Sequence, residues 1–109
     1  MINKKDLTGN KLKKSLNAYS VGYRWNNKNK GWGNFGINIY FGETFERGRD
    51  KELTGYYKEI EGEKIISSLS FGDLFQCGEQ INLNEVLTYE DLILWIQTQL
   101  KNGENETFI

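Results

Sequence analysis

Residues 19–41 read YSVGYRWNNKNKGWGNFGINIYF, and the fold turns on this stretch. Tyr19, Val21, Tyr23 and Trp25 alternate with Ser20, Gly22, Arg24 and Asn26; Phe35, Ile37, Ile39 and Phe41 alternate with Asn34, Gly36, Asn38 and Tyr40. Successive side chains of a strand point to opposite faces, so apolar residues at a period of two mark a strand buried on one side. Residues 27–33 between them are Asn, Lys, Gly and one Trp, mostly the chemistry of turns. The stretch predicts an antiparallel hairpin with strands at 19–26 and 34–41 and a long tip.

Working outward, Leu12, Leu16 and Tyr19 fall at i, i+4 and i+7, which predicts a short helix over 9–17 whose other faces carry Lys11, Lys13 and Lys14. The first eight residues are expected to fray. Downstream, residues 42–52 (GETFERGRDKE) read as a polar surface loop. A third strand near 53–61 carries Tyr56, Tyr57 and Ile60, followed by a turn at Glu61–Gly62. A fourth near 64–71 sets Ile65, Leu69 and Phe71 on one face and Ser68 and Ser70 on the other, and 74–83 supplies one short edge strand. Thr88 followed by Asp91 fits a helix start, and Tyr89, Leu92, Ile93, Ile96 and Leu100 form an apolar stripe. Lys101 and Gly103 read as the end of that helix, at 89–101, and the remaining tail as frayed. The expected fold is a single α+β domain over 1–109. Its mostly antiparallel sheet has about four or five strands, with a short N-terminal helix and a C-terminal amphipathic helix packed on it.

With 109 residues, the chain has room for one modest core. Three Trp, six Tyr and six Phe supply the area that a hydrophobic content of 38% would otherwise lack. Histidine is absent, which removes the commonest general base and the commonest metal ligand. Cys77 is the only cysteine, so neither an internal disulfide nor a thiolate zinc site forms, and Cys77 reads as a small packing residue. A small domain without staples points to a reducing cytoplasm. The N-terminus lacks the apolar run of a secretory signal, and no segment approaches a membrane span. No catalytic residue, cofactor or metal is expected.

The net charge of −1 hides a split. Residues 1–42 carry eight basic residues against Asp6 alone, +7; residues 43–109 carry six basic against fourteen acidic, −8. Blocks of one sign steer partners of the other. Gly31, Gly33 and Gly36 match G-x-G-x-x-G, but the motif leads into a strand instead of opening a helix, so it reads as a hairpin tip. Tyr23 to Trp32 interleaves aromatics with cations, and Arg24, Lys28, Lys30 and Trp32 are the residues a single-strand nucleic-acid binder would use. Against that, Tyr23 and Trp25 are expected to face the core, and the chain is not basic overall. Glu59, Glu61 and Glu63 alternate around a turn, and Leu94 points away from its helix's apolar stripe, beside Glu90 and Asp91.

The acidic EIEGEKI (59–65), the run INLNEVLTYEDLILWIQTQL (81–100) with its terminal helix, and the His-free, single-Cys composition resemble small bacterial immunity proteins paired with contact-dependent or polymorphic toxins. The resemblance implies stoichiometric binding to a cognate toxin domain, a nuclease being one candidate, with occlusion of its active site. The expected contacts are Glu59, Glu61, Glu63, Glu79, Glu85, Glu90, Asp91 and Leu94, an acidic surface competing with phosphate for a basic groove. A nucleic-acid accessory protein and a phage-encoded inhibitor of a host defence enzyme are the alternatives. A toxin gene immediately upstream would favour immunity; a phage early operon would favour the last.

Overall fold

The structure, a computed structural model, describes residues 1–28, 30–76 and 78–107, with side chains to residue 103. The expectations for Cys77 and for the last two residues fall outside these. Period-two alternation builds β1 (Ser20–Lys28), β2 (Trp32–Tyr40), β3 (Lys51–Ile60) and β4 (Glu63–Asp73), and β5 (Glu79–Gln80) completes one antiparallel sheet. Its spatial order, β1-β2-β3-β4-β5, is the order of the chain. Two helices, α1 (Gly9–Leu16) and α2 (Tyr89–Thr107), contribute Leu12, Leu16, Leu92 and Ile96 to a core shared with Phe35, Ile37, Ile39, Leu53, Tyr57, Ile66, Leu69 and Phe71 of the sheet. This is the expected α+β arrangement.

Several local expectations give way. The hairpin tip is short, because polar residues continue the ladder to Lys28↔Trp32. Asn26 Nδ2 donates to Asn34 Oδ1 at 3.0 Å, and the Tyr57 hydroxyl donates to Asn27 Oδ1, so residues that look like a loop hold strand positions. Lys30 (φ 64°) and Gly31 (φ 74°) make the turn. In α1 the helix stops at Asn17, whose left-handed φ of 51° closes the last turn. Tyr19 therefore leaves the stripe and is exposed, while Ala18 is buried. Tyr23 is also exposed, although Trp25 stacks on Phe35 at 4.5 Å.

The N-terminal residues do not fray in this structure. Ile2 and Leu7 are buried, and the Ile66 amide donates to the Ile2 carbonyl at 3.0 Å, laying the segment along β4. A 3-10 turn at Lys4–Asp6 is closed by a capping box: the Asn3 side chain accepts from Lys5, and the Asn3 amide donates to Asp6, both at 2.9 Å.

β3 begins at Lys51, so the loop before it is shorter than expected. Leu53 and Tyr57 face the core while Tyr56 and Ile60 face outward. Glu61 (φ 51°) and Gly62 (φ 81°) form the two-residue turn foreseen there. In β4 the register shifts between Tyr56↔Ser68 and Tyr57↔Ile66, leaving Ser67 as an extra residue in a β-bulge. The bulge inverts the alternation, so Ile66, not Ile65, joins Leu69 and Phe71 in the core. Gly55 is required beside it, since a Cβ there would collide with the Ser68 carbonyl. α2 runs on through Gly103 to Thr107, six residues beyond its expected end at 101.

The loop between β2 and β3 is tied by a fully buried carboxylate. Asp50 accepts from the Phe41 and Glu46 amides at 2.9 Å each and from Arg49 Nε at 3.3 Å. Burial alone would raise the Asp50 carboxyl, but these donors outweigh it and hold the carboxyl below its ordinary range.

Candidate binding face of the sheet

The core residues of the four long strands all lie on one face, so the alternating positions between them form a second face. Reading across the register, one row is Lys28, Trp32, Lys58 and Ile65; the next is Asn26, Asn34, Tyr56 and Ser68; the third is Arg24, Gly36, Thr54 and Ser70. Trp32 is 43% exposed, Tyr56 50% and Ile60 53%, so this end of the face presents three large apolar groups to solvent. The Trp32 and Tyr56 rings lie 6.1 Å apart at 41°, a diagonal cross-strand contact. Arg24 extends over Gly36, where a Cβ would stand only 3.2 Å from its guanidinium.

Antiparallel pairing places the tips of the β1–β2 and β3–β4 hairpins at the same end of the sheet. The Glu59 amide donates to the Gly31 carbonyl at 2.6 Å, joining the two tips directly. The basic set Arg24, Lys28, Lys30 and Trp32 and the acidic set Glu59, Glu61 and Glu63 therefore meet at one end of the molecule. Glu63 shares the open face with Ile60, its cross-strand partner; Glu61 lies in the turn; Glu59 points to the helix side, opposite Lys64.

The remaining expected contacts lie elsewhere. Glu79 is exposed on β5, Glu85 sits in the turn that begins at Asn82, and Glu90 and Asp91 occupy the first turn of α2. Asp91 is committed to that helix: its carboxylate accepts from the Leu87 and Thr88 amides at 3.1 Å, and its own amide donates to Thr88 Oγ1 at 3.1 Å. Those bonds to Thr88 and Leu87 hold the Asp91 carboxyl below its ordinary range. Leu94 is 66% exposed on α2.

Tyr56, Lys58 and Ile60 complete the open face, and the sequence reading did not assign them to a site. The signal was present: with Leu53 and Tyr57 inward, period-two alternation sends Thr54, Tyr56, Lys58 and Ile60 outward. Among the described residues no group of three metal-ligating side chains converges, and no helix is long and apolar enough to cross a membrane. No protein family matches the chain, and neither a curated protein nor a solved structure shows significant similarity to it.

Proposed function

We propose that this chain acts by binding, as a non-enzymatic inhibitor of a second protein in the manner of a toxin-immunity protein. The observation that carries this reading is the β3–β4 hairpin, which offers exposed Tyr56 and Ile60 on the same face as Glu63, with Glu61 in its turn and Glu59 on the opposite face. Affinity between proteins concentrates in a few aromatic or apolar anchors surrounded by a polar rim, and charge sets approach and partner choice. An acidic hairpin with apolar anchors suits the basic groove of a nuclease, where carboxylates stand in for phosphates. Glu79, Glu85, Glu90, Asp91 and Leu94, spread over β5, the turn from Asn82 and α2, stay further candidate contacts for the same partner.

Affinity capture from the encoding host tests this reading. The expected result is one stoichiometric protein partner whose association slows as salt rises, because exposed charges are screened beyond about 8 Å at physiological ionic strength. Tyr56→Ala should weaken binding by about 2 kcal/mol or more if Tyr56 is an anchor, and Glu61→Lys should slow association while the fold persists. The row Lys28–Trp32–Lys58 favours a second reading, single-stranded nucleic acid stacked on Trp32 with lysines on its phosphates. That reading expects Trp32→Ala and Lys28→Glu to abolish binding and the glutamates to be indifferent. Recovery of nucleic acid alone, without a stoichiometric protein, would sink the inhibitor reading.

A further inference from the structure

The two edges of the sheet differ. Beyond β4, the far edge is closed by β5 and by the bridge from Asn3 to Ile65. The near edge is β1, nine residues paired to β2 without a register shift. The bond from the Glu59 amide to the Gly31 carbonyl sets the parity of the ladder. With the observed registers, Gly33, Phe35, Ile37 and Ile39 bond toward β3, and the residues between them bond toward β1. The main-chain N–H and C=O groups of Tyr23, Trp25 and Asn27 therefore point out of the sheet, and no turn or cap among the described residues bonds to them. Such a row is a template for another strand.

Cations flank this template on both sides. Arg24 and Lys28 lie on the open face; on the helix side Lys13 lines a cleft with Val21 and Tyr23, and the Lys4 ammonium stands 5.2 Å from the centre of the Trp25 ring. Asp6, the one acid in residues 1–42, has its carboxylate engaged by the Asn3 amide. We propose that the β1 edge from Tyr23 to Lys28 takes an extended acidic segment of a partner protein as a sixth strand. A second copy of this chain is the wrong occupant, since it would bring further cations against Arg24 and Lys28. In the new ladder Arg24 and Lys28 fall in non-hydrogen-bonded pairs, where facing side chains are closest. The preferred occupant therefore carries acids four residues apart. This inference does not rest on the inhibitor reading and assigns a role to the basic third of the chain.

The test uses the full chain and two acetylated ten-residue Thr-rich peptides, one with glutamates four apart and one with lysines there, followed by amide hydrogen exchange in NMR. The glutamate peptide should slow exchange at Tyr23, Trp25 and Asn27, leaving Gly22, Arg24 and Asn26 as they were. The lysine peptide should bind roughly tenfold more weakly or not at all. Tyr23→Pro removes an outward donor that the β1–β2 ladder does not use, so it should abolish binding where Tyr23→Thr retains it. If the proline variant fails to fold, the double reversal Arg24→Glu and Lys28→Glu serves instead, and it should exchange the preference to the lysine peptide. Unchanged exchange at saturating glutamate peptide would overturn the proposal. So would equal binding of both peptides, a free chain already dimeric through β1, or the same protection pattern produced by single-stranded oligothymidine. Each of these can be read whether or not a toxin partner is ever captured.

Discussion

Ile96 is fully buried on α2, in the same core as Leu92 and the sheet residues Leu53 and Leu69. Truncation to alanine removes a large side chain that its neighbours cannot collapse to replace, at a cost of about 2–5 kcal/mol. Ile96→Ala should therefore lower the urea midpoint markedly; a midpoint that barely moves would mean α2 is turned differently on the sheet. Asp50 supports a second prediction at this scale. Its carboxyl is depressed in the folded chain, so the stability it contributes is present above the unfolded carboxylate value of about 3.9 and is lost as pH falls through the folded value. Asp50→Asn should be destabilising at pH 7, and the gap to the parent chain should narrow in urea melts carried into acid. A gap that widens in acid would reverse the sign of the assignment.

At the scale of elements, the N-terminal segment acts as a clasp over the sheet. Ile2 and Leu7 are buried, and fully burying a large apolar side chain contributes about 1.5–3 kcal/mol. Removing residues 1–7 should lower the denaturation midpoint and uncover the part of the β4 edge that Ile2 and Asn3 pair with, with increased aggregation measurable by light scattering. What was legible in the sequence depended on how far each signal reaches. Strict alternation over 19–25 and 35–41 placed the first hairpin, and the Tyr89–Leu100 stripe placed α2, because both signals repeat within one element. The bulge at Ser67 was hidden: one extra residue inverts a strand's faces, and IISSLS reads equally well in either phase. The open face was half legible. Trp32 and the lysines were visible in β1 and β2, whereas the join to Tyr56, Lys58 and the Glu59–Glu63 turn exists only through a register that composition does not encode. Asp50 was missed because its three donors come from three separate points of the loop, Phe41, Glu46 and Arg49.

For the molecule as a whole, strand order that follows chain order turns the sequence's charge split into a lateral one. The +7 third occupies α1, β1 and β2, and the −8 remainder occupies β3, β4, β5 and α2. The same meander bears on how the chain reaches its structure. Every long strand pairs with the strand next to it in sequence, through connections of 3, 10 and 2 residues. Loop-closure entropy is therefore small at each step, and the sheet can zip from either hairpin. The costly closures are Ile2 onto Ile66 and the Tyr89 hydroxyl onto Ser15 Oγ at 2.8 Å, both between residues more than sixty positions apart. With no proline in the chain, prolyl isomerisation, which takes tens of seconds or longer, contributes no slow phase. Stopped-flow refolding should be complete without a phase on that timescale. Tyr89→Phe, which cuts one α1–α2 tie and leaves the Gln97 Nε2 bond to the Ser15 carbonyl, should speed unfolding far more than it slows folding if this long-range contact forms last. A slow phase insensitive to chain concentration would overturn the first expectation, and a Tyr89→Phe effect falling mainly on the folding limb of the chevron would place the helix contact in the nucleus instead of at the end of the reaction.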